Sequence, residues 1–199
     1  MIKALLLLFR PVQTWGGIDA ANRSIAYVLC LHLLPLILLT SAIEGYGLVR
    51  VNKSGVETSI KGKTFELGQV VAIEVIQSVV LLGLTFLAAY TAKTYAATFH
   101  KRTTYRLAFV AVAFGLAPLL TLRLGDFFCV QLLKSPMAWL PWIVGMVLTI
   151  AVLYQGLPCL LRPDPPHAFG LYLMTSLTML VIFGLWRLLT WQFFLGRFP

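Results

Sequence analysis

Charged residues are scarce in this sequence: only 12% of its 199 residues are Asp, Glu, Lys or Arg, whereas 59% are hydrophobic. With a mean hydropathy of +0.87, this balance excludes an ordinary water-soluble domain and is typical of a polytopic membrane protein. Among the charged residues the acidic ones are the minority, with 7 Asp and Glu against 16 Lys and Arg, so the formal net charge is +9. Because the basic residues lie between apolar runs, they set topology or face anionic lipid headgroups, and nucleic acid is not an expected partner.

Cysteine and histidine are also rare, with three of each. Cys30 and His32 resemble a ligand pair, but residues two apart on a helix point to nearly opposite faces. The motifs G-x-S-x-G, G-x-x-x-x-G-K-[ST], G-x-G-x-x-G and H-E-x-x-H are missing, which leaves no catalytic or nucleotide-binding signature. The sequence therefore predicts a protein without catalytic residues, cofactor or metal, and not an enzyme.

What is abundant is long apolar runs. They predict an all-α integral membrane bundle, because about 20 apolar residues at 1.5 Å each cross a hydrocarbon core of about 30 Å. We assign a membrane domain to residues 25–195 and a short N-terminal segment to residues 1–24. The predicted spans are approximately 25–43, 67–92, 105–124, 137–161 and 168–191.

Two segments are predicted to lie outside the hydrocarbon core. Residues 1–24 are expected to form an interfacial segment that begins with a short helix over residues 1–9. Trp15 is expected in the headgroup layer, where an indole ring can be buried while its N–H stays hydrated. In the polar loop between the first two spans, residues 49–60 alternate in polarity around Gly55. This alternation predicts a small extramembrane β-hairpin.

Five spans put the termini on opposite sides of the membrane. The 16 Lys and Arg residues divide equally between the two sides, so the raw count does not fix the orientation. The connection from Lys93 to Arg106 is short, basic and free of acid, which favours that side, and hence the N-terminus, in the cytoplasm. We take this basic face as the expected lipid-headgroup contact, and it consists of Lys93, Lys101, Arg102, Arg106 and Arg162.

Charged residues within spans are the first candidates for a functional site in a membrane protein. Glu74, Arg123 and Arg187 qualify, and the alternating direction of the spans puts all three near one membrane face, together with Glu44 and Asp126. They could line a polar cavity for a small solute, ion or lipid headgroup. Alternatively, Glu74 pairs with Arg123 or Arg187 and locks the bundle.

Prolines within spans mark the expected bends. Each proline frees the backbone carbonyl one turn earlier, which in lipid must find another partner. Pro35 in the first span and Pro118 in the third lie at similar depth, while Pro158 ends the fourth span. Behind Pro158 comes the tight, proline-rich turn Arg162–His167, which leads directly into the last apolar run.

Four short motifs lie in or beside the spans. They are Pro11-x-x-x-Trp15-x-x-Ile18, Leu34-Pro35, Gly115-Leu116-Ala117-Pro118 and, most telling, Tyr154-Gln155-Gly156-Leu157-Pro158. With these motifs the sequence resembles the Yip family of five-span membrane proteins, the Ypt/Rab-interacting type, in its bacterial branch, and the resemblance extends over roughly residues 7–189.

The resemblance implies five helices and a cytoplasmic N-terminus, and for a bacterial member a location in the inner membrane. Eukaryotic members bind small GTPases through a cytoplasmic part that carries an Asp-Leu-Tyr-Gly-Pro motif ahead of the first span. This sequence has no such motif, so GTPase binding is not expected here.

We therefore expect a non-enzymatic integral membrane protein that organises the membrane. Its expected partners are membrane lipids, another copy of itself or another membrane protein. The alternative is a small transporter or channel that uses a charged cavity in one half of the membrane. A charged cavity continuous with one membrane face would favour the transporter, and a dry, ion-paired bundle would count against it.

Overall fold

The long apolar runs fold as helices in the computed structural model, which describes residues 11–53, 67–99, 104–132 and 140–193. Within these ranges the chain is helical apart from short turns, and no strand is present. We number the α-helices in chain order: α1 Pro11–Ala20, α2 Ile25–Val28, α3 Leu34–Lys53, α4 Leu67–Phe99, α5 Tyr105–Gly115, α6 Ala117–Leu132, α7 Leu140–Leu161 and α8 Ala168–Phe193.

Five of the helical segments in the described part of the chain are long and apolar enough to cross a membrane. They are Ile25–Tyr46, Leu67–Thr98, Tyr105–Gly125, Leu140–Leu161 and Ala168–Thr190. The predicted all-α bundle of five spans is therefore confirmed. The third span is the central one, since 78% of it is buried inside the protein, compared with 28% of the second and of the fifth.

The second span presents small residues to its neighbours. Ala88, Ala92 and Ala96 recur at helical spacing and are completely buried. Helix α4 contacts α5 and α8. Small side chains allow the backbones of membrane helices to approach closely, which is a main source of helix association in lipid.

Two spans change their helical geometry next to a proline. In the first span, a π-helical turn, Leu29–Leu33, joins α2 to α3, and the N–H of Leu34 donates to the carbonyl of Leu29. Pro35, which has no N–H to donate, follows this wide turn. In the third span, Leu116 separates α5 from α6 two residues before Pro118.

The fourth span contains Pro158 within the last turn of α7. The Pro158 carbonyl accepts a hydrogen bond from the N–H of Arg162 at 3.1 Å. Arg162 then takes a positive φ of 47°, and the turn Pro165–His167 leads into α8. A left-handed residue directly after a helix is a common way to end it.

Helix α1 lies against the end of α7. The Trp15 side chain is completely buried inside the protein, and its indole nitrogen has no contact with solvent, so the predicted hydration of its N–H was wrong. The indole ring occupies the space left by the missing side chain of Gly156. A salt bridge of 2.9 Å between the Arg162 Nη2 and Asp19 Oδ2 atoms joins the same two regions.

The predicted β-hairpin was wrong in its first strand. Residues 49–53 continue helix α3, which ends at Lys53. A helix that emerges from the membrane can keep its intrahelical hydrogen bonds, so the alternating polarity of five residues does not decide the structure. The second half of the predicted hairpin and residues 1–10 of the predicted interfacial segment lie outside the described residues.

Candidate functional site

Arg123 is the most deeply buried cation of the predicted charged cluster. Its side chain, on α6, is only 9% exposed. Its Nη2 atom lies 2.6 Å from Oε2 of Glu44, a half-buried residue on α3. This ion pair joins the first and third spans, and its acid is Glu44, whereas the predicted locking pair has Glu74 as its acid.

Glu74 lies beside this ion pair but is not bonded to it. The side chain, on α4, is 8% exposed, and neither carboxylate oxygen has a hydrogen bond of good geometry within the described residues. Arg123 attracts the carboxylate and Glu44 repels it, while the hydroxyl of Ser41 is close enough to interact. A buried carboxylate in such surroundings is costly, because burial removes the water that stabilises its charge.

Gly45 makes room for the Glu74 side chain. A methyl group on Gly45 would lie 3.2 Å from the Cγ atom of Glu74 and 3.4 Å from the Cγ1 atom of Val70. One turn away, the hydroxyls of Ser41 and Ser78 share a hydrogen bond of 2.9 Å across the same two helices. The missing side chain and the two small hydroxyl residues bring α3 and α4 together around Glu74.

Glu74 faces a groove of about 620 Å³ between α3 and α4. Its lining is largely apolar, and Glu74 is its one charged residue among those the structure describes. The groove is lined by Leu34, Ile37, Leu38, Ser41, Ala42, Gly45, Tyr46, Val49, Leu67, Val70, Val71, Glu74, Val75, Ser78, Val79 and Leu82.

The groove opens sideways, onto the surface that a bilayer would cover. Leu38, Val71, Val75 and Val79 line it and are each more than half exposed. All four lie within the first two spans. The volume is in the range of small-molecule sites, and the opening lies on the apolar surface of these two spans.

Arg123 and Arg187 meet at a second, much smaller cavity of about 30 Å³. Gln77, one turn after Glu74 on α4, lines it as well, with Trp142 and Trp186. This volume is enough for about one water molecule. In the part of the chain that the structure describes, Glu74 therefore lines the groove, and the two arginines line the small cavity.

The residues predicted for the basic face are partly engaged within the protein. Arg106 donates from Nη1 to the backbone carbonyl of Asn22 at 2.9 Å, just beyond the end of α1. Arg162 pairs with Asp19 yet remains 63% exposed. Lys93 is half-buried on α4, and Lys101 and Arg102 lie outside the described residues.

The arrangement of the spans and of these motifs can be compared with known proteins. A family model described as the Yip1 domain matches residues 5–188, which is nearly the whole chain. The chain belongs to the Yip1 domain family. Comparison with curated proteins and with solved structures gave no match.

As a Yip1 domain protein, the chain is a multi-pass membrane protein of a family that is not known for enzymes. The part of it that the structure describes contains no group of three or more His, Cys, Asp or Glu residues placed to hold a metal ion. His32, which is buried, stacks on Phe114 at a centroid distance of 4.2 Å. The chemistry available at the groove of this Yip1 domain is therefore that of one carboxylate and the hydroxyls of Ser41, Tyr46 and Ser78 on a largely apolar surface.

Some residues of the site were missed by reading the sequence. Ser41 and Gly45 are four residues apart on α3, as are Glu74 and Ser78 on α4. This i, i+4 spacing puts each pair on one helix face, and it is the signal that could have found the groove. Glu44 had been assigned to the correct membrane face but not to Arg123.

Proposed function

We propose that this Yip1 domain protein is a non-enzymatic membrane protein that binds lipid, in a bacterial inner membrane with its N-terminus in the cytoplasm. The observation that carries the proposal is the groove between α3 and α4, which is apolar, laterally open and about 620 Å³ in volume. The cytoplasmic N-terminus is supported by the acid-free basic connection from Lys93 to Arg106. The bacterial setting is supported by the sequence resemblance described above.

A bilayer lipid is the occupant that fits the groove best. Lipid tails are as apolar as leucine, so a convex helix face gains little by binding one tail rather than another. A concave surface differs, because a tail lying in it contacts side chains on two helices at once and gains dispersion energy along its length. The carrier alternative calls for a polar route, whereas this groove is lined mainly by aliphatic side chains.

The basic face supports a second contact with lipid. Arg162 extends into solvent at the end of the fourth span, at the level where headgroup phosphates of anionic lipids lie. Juxtamembrane arginine and lysine residues gain about 1 kcal/mol each at an anionic surface. In this proposal the groove holds a tail and the basic face holds the protein against anionic headgroups.

Filling the groove tests the proposal. Ala42 is exposed and lines the groove, so Ala42→Phe should displace the bound tail. Ala151→Phe is the matched control, because Ala151 is exposed on α7 away from the groove. Native mass spectrometry of protein released from lipid nanodiscs counts the lipids that remain bound.

The expected result is one retained lipid fewer for Ala42→Phe than for the wild type and for Ala151→Phe. Equal retention by all three proteins would contradict the proposal, as would a wild-type protein that retains no lipid. Both variants place the same added ring on a lipid-facing surface, so a general effect of the larger side chain would appear in the control too.

A further inference from the structure

We infer that the groove selects lipids with a primary ammonium headgroup, of the ethanolamine type, and that Glu74 binds the ammonium group. This inference rests on the proposed lipid binding and adds the class of headgroup. It starts from an imbalance of charge. Of the three ionisable side chains that interact here, Glu44 and Arg123 pair with each other, and Glu74 is the acid that has no cation paired with it.

The Glu74 carboxylate is a ready acceptor. It is more than nine-tenths buried, it lines the groove, and both of its oxygens lack a hydrogen bond of good geometry among the described residues. A buried charge of this kind is stabilised when a cation comes within hydrogen-bond distance. Arg123 does not supply that bond: its Nη2 atom pairs with Glu44, and its Nη1 atom has no hydrogen-bond partner among the described residues.

The depth of Glu74 suits a headgroup. The second span has 32 residues, about 48 Å of helix, so it exceeds a hydrocarbon core of about 30 Å. Glu74 lies seven residues after Leu67, the first residue of that span, or about 10 Å along the axis. Sharing the excess length equally between the two ends puts Glu74 at the edge of the core, where an ammonium group can reach it while the tail lies in the groove.

The neighbouring hydroxyls favour a primary ammonium over a quaternary one. Ser41 and Ser78 both line the groove, and although they share one hydrogen bond, each hydroxyl oxygen keeps a lone pair that can accept another. A primary ammonium has three N–H donors for the carboxylate and these two oxygens. A choline headgroup has no N–H, so it would leave the Glu74 carboxylate without a donor and add no hydrogen bond to the two hydroxyls. An acceptor left without a donor in a buried site is a strong basis for discrimination between ligands of similar shape.

Competition between two headgroups tests the inference. Wild-type protein is placed in nanodiscs that contain phosphatidylethanolamine and phosphatidylcholine in equal amounts, with identical tails and a fixed fraction of phosphatidylglycerol. The lipid retained after release is identified by native mass spectrometry. A charge-assisted hydrogen bond in a buried site corresponds to about a tenfold preference or more for ethanolamine.

Glu74→Gln keeps the size of the side chain and removes its carboxylate. The ratio of retained phosphatidylethanolamine to retained phosphatidylcholine should therefore fall close to one, while a lipid is still retained. Asp164→Asn is the matched control, because it removes an exposed carboxylate at the opposite end of the bundle, and the preference should stay unchanged. The double change Ser41→Ala and Ser78→Ala keeps the carboxylate but removes the hydroxyl acceptors, and it should lower the preference even if Glu74→Gln does not fold.

The outcomes separate this inference from the function it rests on. Retention of both lipids in equal amounts by the wild type would refute selection by Glu74 and leave lipid binding intact. No retained lipid would refute both, as would a dimer that cross-links through the groove and excludes lipid. An unchanged preference in Glu74→Gln, or in the serine double variant, would likewise overturn the assignment of the headgroup site.

Discussion

Gly156 is the residue against which the buried ring of Trp15 lies, and Gly156→Ala tests how tightly α1 is bound to the bundle. An added methyl group would meet the Cζ2 atom of Trp15, with Cε2 at 2.5 Å and Cη2 at 2.9 Å. Favourable carbon contacts lie near 3.5–4.0 Å. The ring would therefore have to move by about 1 Å, and a completely buried ring has no free space in which to do so.

The magnitude follows from two opposing effects. Overpacking a well-packed site destabilises a protein by about 1–3 kcal/mol, and a contact this short belongs at the upper end. Replacing glycine by alanine in a helix stabilises it by up to about 1 kcal/mol. The expected net loss is about 2 kcal/mol, which corresponds to a fall in the midpoint of thermal unfolding of roughly 4–8 °C for a chain of this size.

Thermal unfolding followed by helical circular dichroism in one detergent measures the loss, and hydrogen exchange of α1 shows whether that helix detaches. Gly83→Ala is the matched control, because a methyl group on Gly83 would meet no other atom within 4 Å. Its midpoint should stay the same or rise. Adding Trp15→Phe to Gly156→Ala should recover part of the loss, since the smaller ring leaves space for the methyl group.

The reasoning is refuted if Gly156→Ala unfolds at the same temperature as Gly83→Ala and exchanges its α1 amides no faster than the wild type. It is refuted as well if the effects of Trp15→Phe and Gly156→Ala simply add, because residues in direct contact show an interaction energy in a double-mutant cycle.

Two further ion pairs give predictions of different size. Arg123→Gln leaves the half-buried Glu44 without its partner and should cost up to about 3 kcal/mol, the lower end of the range for a buried pair. Adding Glu44→Gln should restore most of this loss. Stronger rescue by Glu74→Gln in unfolding measurements would contradict the observed pairing. Asp19→Asn removes a pair that is largely exposed on the Arg162 side, so stability should change by less than about 1 kcal/mol. Asp19→Asn should also free Arg162 and so strengthen binding to anionic vesicles, whereas Arg162→Gln should weaken that binding. Equal binding by the two variants would argue against a headgroup contact at Arg162.

The number of spans could be predicted from the sequence because the requirement is simple. A segment that crosses the bilayer must bond every backbone polar group internally and show apolar side chains to lipid, and this chain contains five stretches that meet the requirement. The tight turn Arg162–His167 between two apolar runs could be predicted for the same reason. These are properties of each segment by itself.

The partners of buried side chains could not be predicted in this way. Depth in the membrane follows from the position along a span, so Glu74 and Arg123 could be assigned to one layer. The direction in which each side chain points depends on how the helices are rotated against each other, and this made Glu44 the partner of Arg123. Trp15 shows the same limit, because only the surface of α7 reveals that Gly156 leaves room for an indole ring.

The site occupied by Trp15 also has a consequence for how the chain is assembled. Asp19 and Arg162 are 143 residues apart in sequence, and Gly156 is made almost as late. During synthesis, α1 is therefore complete long before the surface it binds exists, and it must stay undocked until the fourth span has entered the membrane. Docking of α1 is therefore a late step in the assembly of this chain, although α1 is the first of the described helices to be made.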